Sequence, residues 1–286
     1  MENLLLIFEN ISSVNRALII VSGISIFWVI EGIVPFKFHN YRKWKHSIPN
    51  FLLTLTTIIV NFFFAFLLVF AADWTNENNF GIIHLVNSTT LVSVILGLLV
   101  LDLIGAYLPH LVQHKVKLLW YIHIVHHTDH KVDTTTANRH HPFESVVRFI
   151  FTFIGIFISG APIGLVLMYQ SISVIASQFN HANIQISNKV DKLLSYVIVS
   201  PNMHKVHHHF ELPYTDSNYG NIFSIWDRLF GTYMELNKDK IVYGVDTDLD
   251  EVQNSKFASL IERPFKKWFN HFNYCLLYTS DAADDP

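Results

Sequence analysis

The sequence predicts an all-α, integral-membrane helical bundle of three spans plus a helical hairpin, with a cytosolic histidine-rich helical cap holding a dimetal site. Three observations carry that expectation. The 286 residues are 51% hydrophobic and 15% charged, with a mean hydropathy of +0.31, whereas soluble domains carry about 25% charged residues. The apolar residues gather in runs near the ~20 needed to cross a bilayer. Finally, 13 of the 17 histidines lie between His110 and His209.

The elements follow in order. Residues 17–36 contain a single charge, Glu31, and read as the first span. Residues 37–50 hold Lys37, Arg42, Lys43 and Lys45 and read as a loop. Residues 51–72 carry no charge and form the second span, and residues 73–79 contain no Lys or Arg. The third span starts at residue 80, and its apolar pattern runs past Asp102 to Leu111. Residues 149–180 are again uncharged, but the run Ser159-Gly160-Ala161-Pro162-Ile163-Gly164 interrupts them with turn-forming residues. This segment therefore reads as a hairpin, either of two short helices or of a half-span and a longer helix.

Short loops rich in Lys and Arg stay on the cytoplasmic side. That rule places the N-terminus outside and every histidine cluster inside. His127 and His204 flank the hairpin, and a shared site requires both of its ends on one face. No basic segment precedes the first apolar run, so no cleavable signal peptide is expected. A bacterial-type cytoplasmic membrane is the first expectation, and the endoplasmic reticulum if the cell is eukaryotic. The net charge of −3 argues against a nucleic-acid partner. Residues 275–284 read CLLYTSDAAD, which resembles a translated sequencing adapter. Residues 275–286 are thus set aside as a non-native tail, leaving 1–274 as a single membrane-embedded domain. One cysteine cannot form an internal disulfide.

Three spaced clusters carry the chemistry: His110 and His114; His123, His126 and His127; and His204, His207 and His208. Positions i, i+3 and i+4 share a helix face, so each cluster can aim its imidazoles at one point. A structural zinc needs four ligands and a catalytic zinc three plus water. The histidines exceed both counts and point to two metals. Imidazole suits iron, zinc, copper and nickel alike. The H-E-x-x-H of zinc proteases is absent, and no carboxylate lies between the clustered histidines, unlike the Glu-x-x-His motifs of soluble di-iron bundles. An all-histidine dinuclear site beside a bilayer suits activation of dioxygen against a lipid C–H bond.

Over residues 102–233 the chain resembles the fatty acid hydroxylase/sterol desaturase superfamily of membrane di-iron oxygenases. The resemblance rests on the three boxes in order, with Leu119-Trp120-Tyr121-Ile122-His123 leading into Val125-His126-His127-Thr128. It also includes Arg139-His140-His141-Pro142, Phe179-Asn180-His181-Ala182-Asn183 and Ser200-Pro201-Asn202-Met203-His204. Asn218-Tyr219-Gly220 and Trp226-Asp227-Arg228-Leu229-Phe230-Gly231-Thr232 follow. It implies two iron ions as cofactor, held by His110, His114, His123, His126, His127, His204, His207 and His208, with His181 as a ninth ligand. Gln185 stands where some relatives carry a further histidine.

Metal-bound imidazoles donate their other N–H to a carboxylate or carbonyl. Asp102, Asp129, Asp216 and Asp227 are the acids near enough in sequence to accept, and His141 is a further candidate beside the site. His130 and His140 read as bystanders. Trp120, Tyr121, Trp226 and Trp268 read as an interfacial belt. The expected function is hydroxylation or desaturation of a membrane lipid by a non-haem di-iron monooxygenase. No flavin, nicotinamide or haem motif is present, so a separate donor must supply electrons, a ferredoxin or a cytochrome b5 with its reductase. The rival class is a membrane metal carrier or sensor, disfavoured because the histidines lie at helix ends and not along a path through the bilayer.

Overall fold

The structure, a computed structural model, describes residues 2–38, 41–86 and 89–281, with side chains through residue 272. Of the tail set aside above, the last five residues lie outside the described chain, and no side chain of it is described.

Regular structure among the described residues is helical, and extended pairing is limited to isolated bridges such as Pro35 with Ile184. In chain order the helices are α1 (Glu2–Glu9), α2 (Ser13–Ile33), α3 (Lys43–Glu77), α4 (Ile82–Leu85), α5 (Thr90–Asp102), α6 (Leu108–Lys115) and α7 (Lys117–His127). Then come α8 (Pro142–Ser159), α9 (Ile163–His181), α10 (Asn188–Leu194), α11 (Pro201–His207), α12 (Ile225–Leu229), α13 (Glu251–Asn254) and α14 (Phe257–Asp281). Four segments are long and apolar enough to cross a membrane: Ser13–Ile33, Lys43–Leu85, Thr90–Lys115 and Pro142–Ser159. Apolar side chains cover their outer faces, as at Phe62, Phe63 and Phe66 on α3, which is how a helix facing lipid differs from one facing water.

Two sequence expectations are corrected here. The third span does not begin at residue 80: α4 is a single turn and α5 starts only at Thr90. Gly81 breaks the helix with φ 107°, and a Cβ there would lie 2.3 Å from the backbone nitrogen of Gly160. The turn after α3 thus packs directly on the tip of the α8–α9 hairpin. The hairpin helices are also not short. With 18 and 19 residues they rise ~27–29 Å, comparable to a bilayer core. Gly160 ends α8 in the left-handed conformation at φ 72°, and Pro162 caps α9. Leu101, Ile156, Leu165, Val166 and Tyr169 pack between α5 and the hairpin.

At the other end of the bundle a polar knot ties the helices together. Glu31, the single charge of the first apolar run, is buried, pairs with Lys43 and accepts from the backbone N–H groups of Thr134 and Asn183, both at 2.6 Å. His46 on α3 bridges Asp129 at 2.8 Å and Asp133 at 3.1 Å. This end holds all the clustered histidines. Both ends of the hairpin reach it, since His140 just before α8 stacks on His126 and His181 closes α9 against the same ring.

Candidate metal centre

Each cluster is positioned by local backbone chemistry. Between α5 and α6 the helix widens into a π-turn at Leu103–Tyr107. Pro109 supplies no N–H and its ring would clash with the carbonyl four residues back; the wider turn accommodates both and sets the facing of His110 and His114. The α7 box is anchored by Arg139, whose buried guanidinium donates to the Val125 carbonyl, the Thr128 hydroxyl and the Asn50 side chain, each at 3.0 Å. Ser200 caps α11 by accepting from the Met203 N–H at 3.3 Å, and Pro201 occupies its first turn.

These elements bring the nine histidines into two adjoining groups. His110, His114, His123, His127 and His207 form one, and His126, His181, His204 and His208 the other; within each group the ligand nitrogens lie within 4.8 Å of one another. The hydrogen bonds fix which nitrogen faces inward. A carbonyl only accepts, so the Nδ1 atoms of His110, His207 and His181 must donate to Tyr219, Ser217 and Ser177, at 2.8, 2.7 and 2.7 Å. The neutral ring then presents a bare lone pair at Nε2. Nε2 of His110, His114, His123, His127, His207 and His208 is buried without a hydrogen-bond partner. Nε2 of His181 stands 3.0 Å from Nε2 of both His126 and His204. One lone pair cannot satisfy two neighbours, yet ~3 Å is the spacing of two nitrogens bound at right angles to one metal at ~2.1 Å.

Buried nitrogens left unpaired cost free energy, and a bound cation in each group would satisfy them, so the donor set fits two metal ions. Burial pushes the pKa of His126, His127, His204 and His208 well down, and that of His207 to about 3, from an ordinary 6.5. Neutral imidazole is the form that binds metal.

The outer partners differ from those expected. Asp216 does face a ligand, accepting from His114 Nδ1 at 3.2 Å. Asp227 acts one step further out, accepting from the backbone N–H groups of Tyr219 and Gly220 at 2.7 and 2.8 Å and so holding the strand of chain whose Tyr219 carbonyl receives His110. Asp102 serves elsewhere. It accepts from the N–H groups of Ile222 and Phe223 and from Trp226 Nε1, tying α5 to the turn before α12. Trp226 is accordingly buried and is no part of an interfacial belt. Asp129 accepts from His46 and Thr136 in the polar knot. His141 caps α8: with Pro142 at the first helical position, its Nδ1 accepts from Phe143 N–H at 3.2 Å and its Nε2 contacts the Ile261 carbonyl.

His140, expected to be a bystander, and Glu144, which the sequence does not single out, both stand at the centre. Glu144, buried on the first turn of α8, contacts His123 Nδ1 at 3.1 Å and His140 Nδ1 at 2.9 Å. His140 stacks on His126 with ring centroids 4.5 Å apart. The i, i+4 spacing of His140 and Glu144 is the signal that could have found them. Gln185 is exposed and away from the cluster, and His209 turns aside to accept from Val242 N–H at 3.0 Å. Lys205 is wholly buried and donates to the Ile184 carbonyl, so it offers no docking charge. A cavity of about 40 Å³ opens beside His110, His123, His126, His181 and His204, and Arg148, Gln113 and Asn221 also line it.

Residues 94–232 match the fatty acid hydroxylase family. Among curated proteins the chain is 26% identical over 140 residues to an ornithine lipid hydroxylase of Rhizobium tropici, covering 49% of this chain and 41% of the relative. It is 26% identical over 172 residues to the alkylglycerol monooxygenase of Homo sapiens, covering 58% and 34%. It is 31% identical over 145 residues to that of Danio rerio, covering 49% and 30%. The chain thus spans less than half the length of these relatives. No solved structure matches it.

Proposed function

We propose, from the match of residues 94–232 to the fatty acid hydroxylase family, that the chain is a membrane-bound di-iron oxygenase that hydroxylates or desaturates a lipid C–H bond. The observation that carries the proposal is the convergence of nine imidazoles, eight of them buried and His110 partly so, whose inward nitrogens find no partner outside the two groups. His110, His114, His123, His127 and His207 would hold one iron, and His126, His181, His204 and His208 the second. When bound, such a pair supplies activation of dioxygen, with two electrons drawn from an external donor.

The chain's own residues do the rest. The carbonyls of Tyr219, Ser217 and Ser177 and the carboxylate of Asp216 hold four rings in a fixed tautomer, each with its N–H turned outward, and Glu144 stands 3.1 Å from Nδ1 of a fifth, His123. Trp120 packs on His114 and His127 and Tyr219 on His110 and His207, closing those sides of the centre to water. Substrate therefore enters through the cavity at the α8–α9 side, which adjoins the apolar bundle. Lys37, Lys43 and Lys45 lie at the histidine end, which supports a cytosolic face for the centre. The donor, of ferredoxin or cytochrome b5 type, would meet that face, where Lys117 and Lys192 are exposed.

The test is metal analysis together with oxygen uptake and lipid mass spectrometry on purified protein. Two irons per chain, and a lipid gaining oxygen or losing two hydrogens only with a donor present, are expected. One tightly held zinc with no oxygen uptake under any donor would overturn the proposal.

A further inference from the structure

Apart from Glu144, the membrane-length helix α8 carries one charged residue, Arg148. An arginine in an apolar span is costly unless something compensates it. Glu144 is already committed to His123 and His140. Among the described residues Arg148 makes no hydrogen bond, ion pair or ring contact, although it is half-buried. Four residues after Glu144, it lies on the same helix face one turn further on. That face opens into the cavity that His110, His126 and His204 also line, and Asn221 adds a polar side chain to the same wall. The guanidinium thus waits beside the metal ligands, in a low-dielectric surrounding, for an anion that the protein itself does not provide.

Resting on the oxygenase reading of the same site, we propose that Arg148 selects substrate: it binds the carboxylate of an acidic lipid and so places a carbon near that carboxylate at the metal centre. The space beside the guanidinium has room for a carboxylate. About 40 Å³ accommodates roughly three waters at ~10–15 Å³ each, which suits the three heavy atoms of a carboxylate. Arginine's planar fork also matches a carboxylate bidentately. A lipid whose polar group is only a hydroxyl or an ether leaves the guanidinium unpaired.

The test is equilibrium binding to metal-loaded protein in nanodiscs, without electron donor, so that no turnover occurs. The probes are oleate and N-oleoylglycine, each against its methyl ester. Wild-type protein is expected to bind at least one acid about 10- to 100-fold more tightly than its ester, as a charge-assisted hydrogen bond of ~1.5–3 kcal/mol implies. Preference for oleate places the carboxylate at the end of the acyl chain; preference for N-oleoylglycine places it on a headgroup. Arg148→Gln should abolish the preference, and Arg148→Lys should keep part of it, both with unchanged metal content. Equal binding of acids and esters by the wild type would overturn the inference, even if Arg148→Gln fails to fold. So would a preference that survives in Arg148→Gln. Turnover of neutral lipids with no acid preference would reject this inference and leave the oxygenase reading standing. An Arg148-dependent acid preference without turnover under any donor would do the reverse.

Discussion

Glu144→Gln isolates what the outer carboxylate does for the metal centre. The substitution keeps the volume of a fully buried side chain and changes only charge and donor pattern. The native carboxylate lies between two imidazoles, at 3.1 Å from His123 Nδ1 and 2.9 Å from His140 Nδ1, and can accept from both. Glutamine accepts at one end and donates at the other. One of the two rings must then face an N–H with its own N–H. If that ring is His123, relief comes by moving its proton to Nε2, which turns a ligand lone pair into an N–H aimed at the metal. If it is His140, its proton moves to Nε2 likewise and the ring keeps a partner, so the loss then comes from the missing charge alone. Either route weakens metal binding. Loss of an outer partner costs 10- to 100-fold in metal affinity, or about 1.4–2.7 kcal/mol, and removing the negative charge adds to it. Chelator competition on metal-loaded protein, read by metal analysis, measures the ratio directly. Glu144→Asp should fall between wild type and Gln, since it keeps the charge but shortens the reach. An unchanged affinity in Glu144→Gln would refute the tautomer argument and reduce Glu144 to a helix-capping acid.

Other outcomes follow from the same geometry. His126→Ala and His207→Ala each remove a ligand from a different group, and each should abolish turnover while lowering metal content by about one ion per chain; retained turnover in both would detach the boxes from the site. In metal-free protein His207 is held to about 3 against an ordinary 6.5. Between those values the unfolded chain binds the proton and the folded chain does not, so this stability is complete above pH 6.5 and lost as pH falls toward 3, by about 1.4 kcal/mol per unit for this one group. Thermal melts of metal-free protein across that range check the sign, and a melting temperature rising on acidification would contradict it. Cysteines placed at Lys45 and Asp73 should label from opposite sides of a sealed membrane, and labelling from one side would refute α3 as a span. Lys117→Glu should raise the apparent KM for an acidic electron carrier, most at low salt, without changing metal content.

How much of the site is legible in the chain follows from what a sequence can encode. Histidine spacing on helices repeats with the helix period, so the three boxes declare by their spacing alone that their rings converge. Turn residues at 159–164 likewise announce a hairpin, although the packing of its tip on the turn after α3, where Gly81 meets Gly160, is a contact between distant segments with no local signature. The partners that orient the rings are the least legible. Three of them, Tyr219, Ser217 and Ser177, act through backbone carbonyls, and any residue carries one. Proximity in sequence favours Asp102 as a partner because an acid in a span must be paired; the pairing exists, but with backbone N–H groups of a distant turn.

The exchange of roles between His140 and His141 shows how fine the deciding detail is. Both histidines precede Pro142, and composition does not separate them. Proline fits the first turn of a helix because its missing N–H would have had no partner there. That makes His141 the N-cap, and a cap's side chain folds back to accept from the helix's own N–H groups. His141 is thereby spent on Phe143 and turns toward Ile261. One residue earlier the chain has not yet entered the helix, and His140 can lie along its flank to meet Glu144, one turn in. The cap decides which of two neighbouring imidazoles reaches the metal centre. Pro142→Ala removes the fixed φ but keeps the cap, so it should leave metal affinity nearly unchanged. His141→Ala removes the cap, costing about 1 kcal/mol of stability, and should also weaken metal binding, because the first turn that carries Glu144 frays. Chelator competition on the two variants separates these effects: equal metal affinity in His141→Ala and wild type would mean that the position of Glu144 does not depend on the cap.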